Sequence, residues 1–310
     1  MMRSLSILIP VYNKDCSLQI KRLCQLARAL TEKGVGVEVV VREDGSTYEA
    51  SLRSNAKACA ASPLCRHIIN KENVGRARVR NRLMCVARGE WLLFQDTGLQ
   101  VADDFFERFA AALSEHPSAR VVCGGLRFRE VCPHSLRYCY ETATASHRDV
   151  AMRRKDPYAS MLFSCMLLPR SVAERIHIDE RFMTYGYEDV MFGKQLREAH
   201  VEVWHIDNPV IDEIDESDEA YVRKTEEAMH TLYAFRDELK SEVRLLQVFE
   251  KLRKYVPLSM IVGLHRLFGG LIRRNLAGGN PWWRLFNVYK LGYYACLVSE
   301  NSRIKRSAFS

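Results

Sequence analysis

The sequence predicts an α/β fold, a mostly parallel sheet with helices on both faces, followed by a helical C-terminal extension. Three observations carry this expectation. The first half alternates short apolar runs with amphipathic stretches of helical period, the rhythm of βαβ units. Those runs end in polar or acidic residues, and the carboxyl ends of strands are where open parallel sheets bind ligands. Positive charge is segregated: from Lys251 onward there are eleven Lys/Arg and one acidic residue, Glu300, a balance of +10 in a chain of net charge +8, so the first 250 residues carry −2.

Taken in order, Leu5 to Val11 reads as a strand and Ser17 to Lys33 as a helix stopped at Gly34. Val37 to Val41 is the second strand, Ser51 to Ala61 a helix, and His67 to Asn70 the third strand. Gly75 to Arg88 has apolar residues at Val79, Leu83 and Val86 and reads as a helix. Trp91 to Phe94 is a fourth strand, Asp103 to Glu115 a helix with an acidic first turn, and Val121 to Cys123 a fifth strand. From Gly124 to Pro209 the pattern is less regular, with a strand expected at Met161 to Leu168, a short helix after Pro169 and a strand at Val201 to Ile206. Ser217 to Leu239 is helical and highly charged, and 243–310 holds short helices broken at Pro257, Gly269-Gly270 and "AGGNP".

Several classes are excluded by the bulk features. Met1 to Ser4 leads directly into a strand-like run, so no signal peptide is expected. The ten cysteines are scattered with no CxxC pair, which points to reduced thiols in a cytoplasmic setting and not to a disulfide framework or zinc cluster. The basic balance belongs to the tail, and with no nucleic-acid-binding motif a nucleic-acid partner is not expected.

The chemistry is expected where the strands end. "ILIPVYN" supplies Pro10, Tyr12 and Asn13; "VVVREDGS" supplies Glu43 and Asp44; "NKENVGRARVRN" opens a helix with Asn73, Arg76 and Arg80; "LLFQDTG" ends in Asp96. Carboxylates at such an edge suit a base or ribose, and arginines with a helix N-terminus suit a diphosphate. Each piece alone also has a plain reading: "EDGS" as a turn, Arg76 and Arg80 as a solvated face, Asp96 as a turn cap. A second constellation, "YGYEDVMFGKQL", sets Glu188 and Asp189 at a helix start beside Tyr185 and Tyr187, either as dipole-stabilised helix-start residues or as a setting for a general base.

In this order, "SILIPVYN", "REDGS", "ENVGRARVRN", "LLFQDTG" and "YGYEDVMFGKQL" resemble a family 2 glycosyltransferase of the GT-A fold, of the kind that builds bacterial surface polysaccharides, over about Ser4 to Leu239. The resemblance implies a transferase domain over 1–240, with a nucleotide-sugar half over 1–98, an acceptor half over 99–215 and a helix over 217–239, and a basic helical region over 241–310. It implies that Pro10, Tyr12 and Asp44 surround the uracil and ribose of a UDP-sugar, with Glu43 beside Asp44 where the family usually has Asp-Asp. Asn73, Arg76 and Arg80 would lie beside ribose and diphosphate. Asp96 matches the first aspartate of the DxD motif, which binds Mn²⁺ or Mg²⁺ bridging the diphosphate. Asp189 matches the general base of an inverting transfer, and Glu188 would support the site.

Two departures stand out. Gly98 replaces the second aspartate of DxD, and Asp212 stands where related sequences often have His, with His205 upstream as a core residue or a ligand. The resemblance then leaves three outcomes: a cation held by Asp96 and Asp212 with the diphosphate's help, a metal-independent enzyme leaning on Arg76 and Arg80, or a weak or inactive paralogue acting as a scaffold. In the tail, Val256 to Ile272 is apolar but interrupted by His265 and Arg266, too short and too charged for a comfortable span. With "EKLRK", "IRRN" and "PWWRLFNVYKLGYY" around it, residues 251–310 read as helices lying on an anionic membrane surface, peripheral on its inner face, or packing on the main domain or a second subunit. The former suits a lipid-linked glycan acceptor.

Overall fold

The computed structural model describes residues 2–129 and 133–307. Its element order follows the alternation read from the sequence. β1 (Ser4–Val11), α1 (Ser17–Glu32), β2 (Gly36–Asp44), α2 (Glu49–Ala60), β3 (Cys65–Asn70), α3 (Arg76–Val86) and β4 (Trp91–Phe94) come first. β5 (Leu99–Gln100), α4 (Phe105–Glu115), β6 (Val121–Cys123) and β7 (Leu126–Arg129) follow. Then come α5 (Leu136–Ala143), α6 (Val150–Lys155), β8 (Met166–Pro169), α7 (Arg170–Ala173), α8 (Glu188–Glu198), β9 (Val203–His205) and β10 (Val210–Glu213). α9 (Asp218–Ala234), α10 (Arg244–Arg253), α11 (Leu258–Leu276) and α12 (Leu285–Ser307) complete the chain.

Two compact units emerge. The first comprises 1–129, 147–183 and 191–213; the second comprises 130–146, 184–190 and 214–310. The boundary expected at residue 240 lies inside the second unit.

The first unit is built on a seven-stranded sheet in the order β3-β2-β1-β4-β8-β6-β9, flanked by helices. Its central strands are apolar in both side-chain directions because both faces are covered, and Ile7, Leu8, Ile9, Val39, Val40, Val41, Leu92, Leu93 and Phe94 are all buried. β1 runs parallel to β2 and β4, and β2 parallel to β3. The register aligns Val11 with Glu43, Asp44 with Asn70 and Leu8 with Phe94, so the polar ends of these strands share one edge. α1 and α4 place Ile20, Leu23, Ala27, Phe105 and Phe109 in one core with β1 and β2.

One expectation is corrected here. Met161 to Leu168 is not a single strand: Phe163–Cys165 forms a 3-10 turn, and β8 then runs antiparallel to β4 and β6. A three-stranded sheet, β5-β10-β7, is an addition the sequence did not announce. In the second unit, Leu136, Val222, Leu276, Phe286 and Tyr289 form a separate core among α5, α9, α11 and α12.

Candidate functional site

The carboxyl edge of the first unit's sheet is knit by side chains. After β1, Asn13 takes a left-handed φ of +50°, a region asparagine tolerates. Its amide oxygen accepts from the backbone N–H groups of Thr47 (2.7 Å) and Tyr48 (3.1 Å). Its own N–H donates to Ser46 Oγ at 2.9 Å, and Ser46 Oγ donates to Glu43 Oε2 at 2.6 Å. Asn55, from the middle of α2, donates to Glu43 Oε1 and to the Lys14 carbonyl, both at 2.9 Å, and accepts from the Cys16 N–H at 2.9 Å. Burial pushes the Glu43 carboxyl up, but donation from His67, Ser46 and Asn55 outweighs it and holds the group below its ordinary value. Glu43 is buried and ties the first two strand ends together.

Asp44 does similar work for the loop that leads into α3. Oδ1 accepts from Asn70 Nδ2 (2.8 Å) and the Val74 N–H (3.1 Å), and Oδ2 from the Gly75 N–H (3.1 Å). Asn73 Oδ1 accepts from the same Gly75 N–H at 3.0 Å. Gly45 must be glycine. Its φ is +69°, and a Cβ there would lie 2.2 Å from the Asn73 nitrogen, so the β2 turn and the loop before α3 approach closer than any side chain allows. Tyr12 is 54% exposed and Pro10 half-buried on the same edge, while Arg76 is half-buried at the start of α3.

The Asp96 corner is organised by charge. Arg80 is only 2% exposed, which rules out a solvated face for it. Its Nη2 donates to Asp96 Oδ1 at 2.6 Å, its Nη1 to the Arg76 carbonyl at 3.0 Å, and its guanidinium lies 5.0 Å from the centre of the Phe163 ring. Burial works to raise the Asp96 carboxyl, but the charges of Arg80 and Arg76 prevail and hold it below its ordinary value. Gln19 of α1 clamps the turn: its amide donates to the Asp96 carbonyl at 2.8 Å and accepts from the Gly98 N–H at 3.0 Å. Asp96 is therefore more than a turn cap.

Gly98 has a φ of +83°, where side chains are strained but Asn and Asp are the best tolerated. A Cβ there would meet Lys14, at 3.5 Å from Cε and 3.9 Å from Nζ. Asp212 sits on β10 opposite Leu99, the first residue of the strand that leaves this turn. A hard divalent cation takes several oxygen ligands. Here Gly98 offers no side-chain oxygen and Asp96 Oδ1 is held by Arg80. Among the described residues no group of three His, Cys, Asp or Glu could hold a metal ion. Asp96 and Asp212 alone do not complete a cation's shell, and the oxygens of a diphosphate would have to supply the rest. His205 is fully buried in the core: its Nδ1 accepts from Arg153 at 2.8 Å and its Nε2 donates to the Pro157 carbonyl at 2.7 Å. Burial, aided by Arg153 and Arg154, pulls its pKa down to about 4, so it is neutral.

Glu188 and Asp189 lie in the second unit, at the start of α8. Tyr187 before them has a φ of +68°, an outlier for an aromatic residue and a sign of strain held by its surroundings. α9 supplies the hold: Glu227 accepts from the Tyr185 N–H at 3.0 Å, and Thr231 Oγ1 donates to the Tyr185 carbonyl at 3.0 Å. Burial, and then the negative charge of Asp189, push the Tyr187 phenol upward, so the two side chains are neighbours. Asp189 Oδ1 accepts from the Val190 N–H at 2.8 Å, and Glu188 is 5% exposed.

Sequence reasoning missed Gln19, Asn55 and Lys14. Only "YNK", where a polar run follows the first strand, carried a signal for the last of them.

Against known proteins, the model of glycosyl transferase family 2 matches residues 6–176, more than half of the chain. No curated protein matches. Among solved structures the chain is similar to the mannosyltransferase PcManGT from Pyrobaculum calidifontis, in complex with GDP-Man and Mn²⁺, at 15% identity and TM-score 0.57, covering 96% of this chain and 86% of that one. It is similar to glucosyl-3-phosphoglycerate synthase from Mycobacterium tuberculosis, in complex with Mn²⁺, UDP-glucose and phosphoglyceric acid, at 14% identity and TM-score 0.51, covering 74% and 79%. It is also similar to S. aureus TarS 1–349 in complex with UDP, at 15% identity and TM-score 0.50, covering 97% and 91%. At these identities the likeness is one of fold.

Proposed function

The chain belongs to glycosyl transferase family 2 and is a glycosyltransferase, and from that premise we propose that it moves a sugar from a UDP-sugar to a hydroxyl of a glycan or lipid-linked glycan in bacterial polysaccharide synthesis. The observation that carries this is the buried Arg80–Asp96 pair, set on the same sheet edge as Tyr12, Asp44 and the start of α3. Tyr12 and Pro10 cover the base, Asp44 and Asn73 meet the ribose, and Arg76 with Arg80 faces the diphosphate. Asp189 accepts the acceptor's proton as its oxygen bonds to the anomeric carbon; the bond from that carbon to the diphosphate breaks, and UDP leaves with the electron pair on the face opposite attack. Cations at the leaving group act most strongly as its charge grows. Glu188 supports Asp189 at the head of α8.

The test is a screen of UDP-sugars with glycan and lipid-linked acceptors, read by mass spectrometry, each with Mn²⁺, Mg²⁺ or EDTA. Transfer from a UDP-sugar supports the reading; transfer only from another nucleotide's sugars overturns the donor. Binding without product under every condition would favour a scaffold that holds nucleotide sugars.

The second unit supports a membrane-surface setting. α11 leaves Met260, Leu264, Leu267, Phe268 and Leu271 exposed along one side, and Tyr255 and Trp282 are exposed beyond its two ends. Among the described residues no single helix is long and apolar enough to cross a membrane. An exposed apolar row in the segment that carries the +10 balance fits an anionic lipid surface. Sedimentation with phosphatidylglycerol vesicles, lost in Leu267→Glu and weakened by salt, is the expected outcome. A concentration-dependent dimer without vesicle binding would assign the row to a second copy instead.

A further inference from the structure

We propose that Asn81 is a positioning residue for the transfer: it latches 178–183 onto α3, so that the helix that presents Arg76 and Arg80 also fixes the start of the chain that carries Asp189. The inference rests on the reading of Asp189 as proton acceptor given above and concerns how that residue is held.

Three rungs make the latch. The Asn81 amide meets Ile178 as a neighbouring strand would: Nδ2 donates to the Ile178 carbonyl at 2.8 Å, and Oδ1 accepts from the Ile178 N–H at 3.0 Å. Both residues are buried. Asn81 Nδ2 also donates to Glu180 Oε1 at 3.0 Å, and Glu180 Oε2 accepts from Arg78 Nε at 2.9 Å. Last, the Met183 backbone lies against Gly75, where a Cβ would come within 2.9 Å of the Met183 carbonyl oxygen. Between the rungs the segment folds on itself, with the Phe182 N–H donating to the Asp179 carbonyl at 3.1 Å and Phe182 buried.

Gly75, Arg78 and Asn81 recur every three residues along one side of α3, and Arg76 and Arg80 lie on the opposite side. As the segment advances from Ile178 to Met183 it runs back toward the start of the helix. At Thr184 the chain passes into the second unit, and it reaches Asp189 in the first turn of α8. Only an amide can make the first rung. A carboxylate has no donor for the Ile178 carbonyl, and an apolar side chain would leave both Ile178 backbone groups unpaired in the core. A general base acts only within hydrogen-bond reach of the proton it takes. A displacement of about 1 Å, even one caused far from the chemistry, costs up to about 10²-fold in rate. Asn81 is on the side of α3 away from the diphosphate corner, so it acts on the transfer through Asp189 and not on the donor.

The test uses the full chain with the UDP-sugar and acceptor that give product, and compares the wild type with Asn81→Ala and Glu180→Ala. Asn81→Ala should lower kcat about 10- to 100-fold, while KM for the donor and UDP affinity stay within about twofold. Glu180→Ala, at an exposed side chain, should fold normally and lower kcat about threefold with the same split. In an Asp189→Asn background the added loss from Asn81→Ala should shrink to less than about twofold, because a residue that acts through Asp189 has nothing left to place. Hydrogen exchange in Asn81→Ala should speed up at 184–190 and stay unchanged in β1 and β4. A loss carried by donor KM or UDP affinity overturns the inference, as does full additivity with Asp189→Asn or unchanged exchange at 184–190. If Asn81→Ala fails to fold, Glu180→Ala carries the same readouts at smaller size. An active wild type with fully active variants removes the inference alone. Full turnover in Asp189→Asn, or a wild type that moves no sugar, removes the proton-acceptor reading and the inference with it.

Discussion

Two acidic strand ends sit on the same sheet edge and are held in opposite ways. At the end of β2, Asp44 accepts hydrogen bonds from Asn70 and the N–H groups of Val74 and Gly75, all of them neutral donors. At the end of β4, Asp96 is held by a buried guanidinium and has Arg76 and Lys14 around its turn. The first arrangement fixes loops; the second gathers positive charge around its carboxylate. A strand end that must hold a phosphate is expected to look like the second.

A third carboxylate sets the scale. Asp189 is proposed to move a proton and not to hold a loop or a charge, so Asp189→Asn should lower the transfer rate about 10²–10⁴-fold, with UDP affinity and melting temperature unchanged. Retained turnover in steady-state kinetics would remove Asp189 from that role. The next largest effect is expected at the β4 end: Arg80→Ala leaves Asp96 without its partner, a loss on the order of 3 kcal/mol in urea unfolding. At the β2 end, Asp44→Asn replaces one accepting oxygen with a donor facing an N–H group, an expected loss of about 2 kcal/mol. If Asp44→Asn proves the costlier of the two, the contrast between charge-held and neutral-held ends fails.

The contrast also has a pH signature. Because Asp96 ionises below its ordinary value of 3.8 in the folded protein, its pair stabilises fully above that value and loses its contribution as pH falls through the lower, folded one. The stability gap between the wild type and Asp96→Asn should therefore be constant from neutral pH down to about 5 and close on further acidification. The smallest expected effect is at Gly98. The space there admits a methyl group, so Gly98→Ala should cost about 1 kcal/mol from the left-handed φ alone.

Much of this edge was legible because each strand is a short apolar run with its polar residues at the end, and α3 opens with a glycine and two arginines one turn apart. What was not legible works through tertiary contact. Gln19 and Asn55 are polar residues on helices, with no local pattern to mark them; Gln19 acts on a turn far along the chain and Asn55 on the carboxylate of the preceding strand's end. The direction of β8 was hidden because a strand buried on both faces reads alike in parallel and antiparallel sheets. β5, β7 and β10 are two to four residues long, below what periodicity resolves. His205 had two readings, and Arg153, the partner that decides between them, arrives from α6, which the sequence had left irregular.

The most direct test of a charge-built diphosphate corner compares UDP with uridine on the same protein. If Arg76 donates a charged hydrogen bond to the diphosphate, as proposed, worth about 1.5 kcal/mol, UDP should bind at least about tenfold tighter than uridine, and Arg76→Gln should reduce that ratio about tenfold without weakening uridine. Equal affinities for UDP and uridine, or a ratio untouched by Arg76→Gln, would contradict the account.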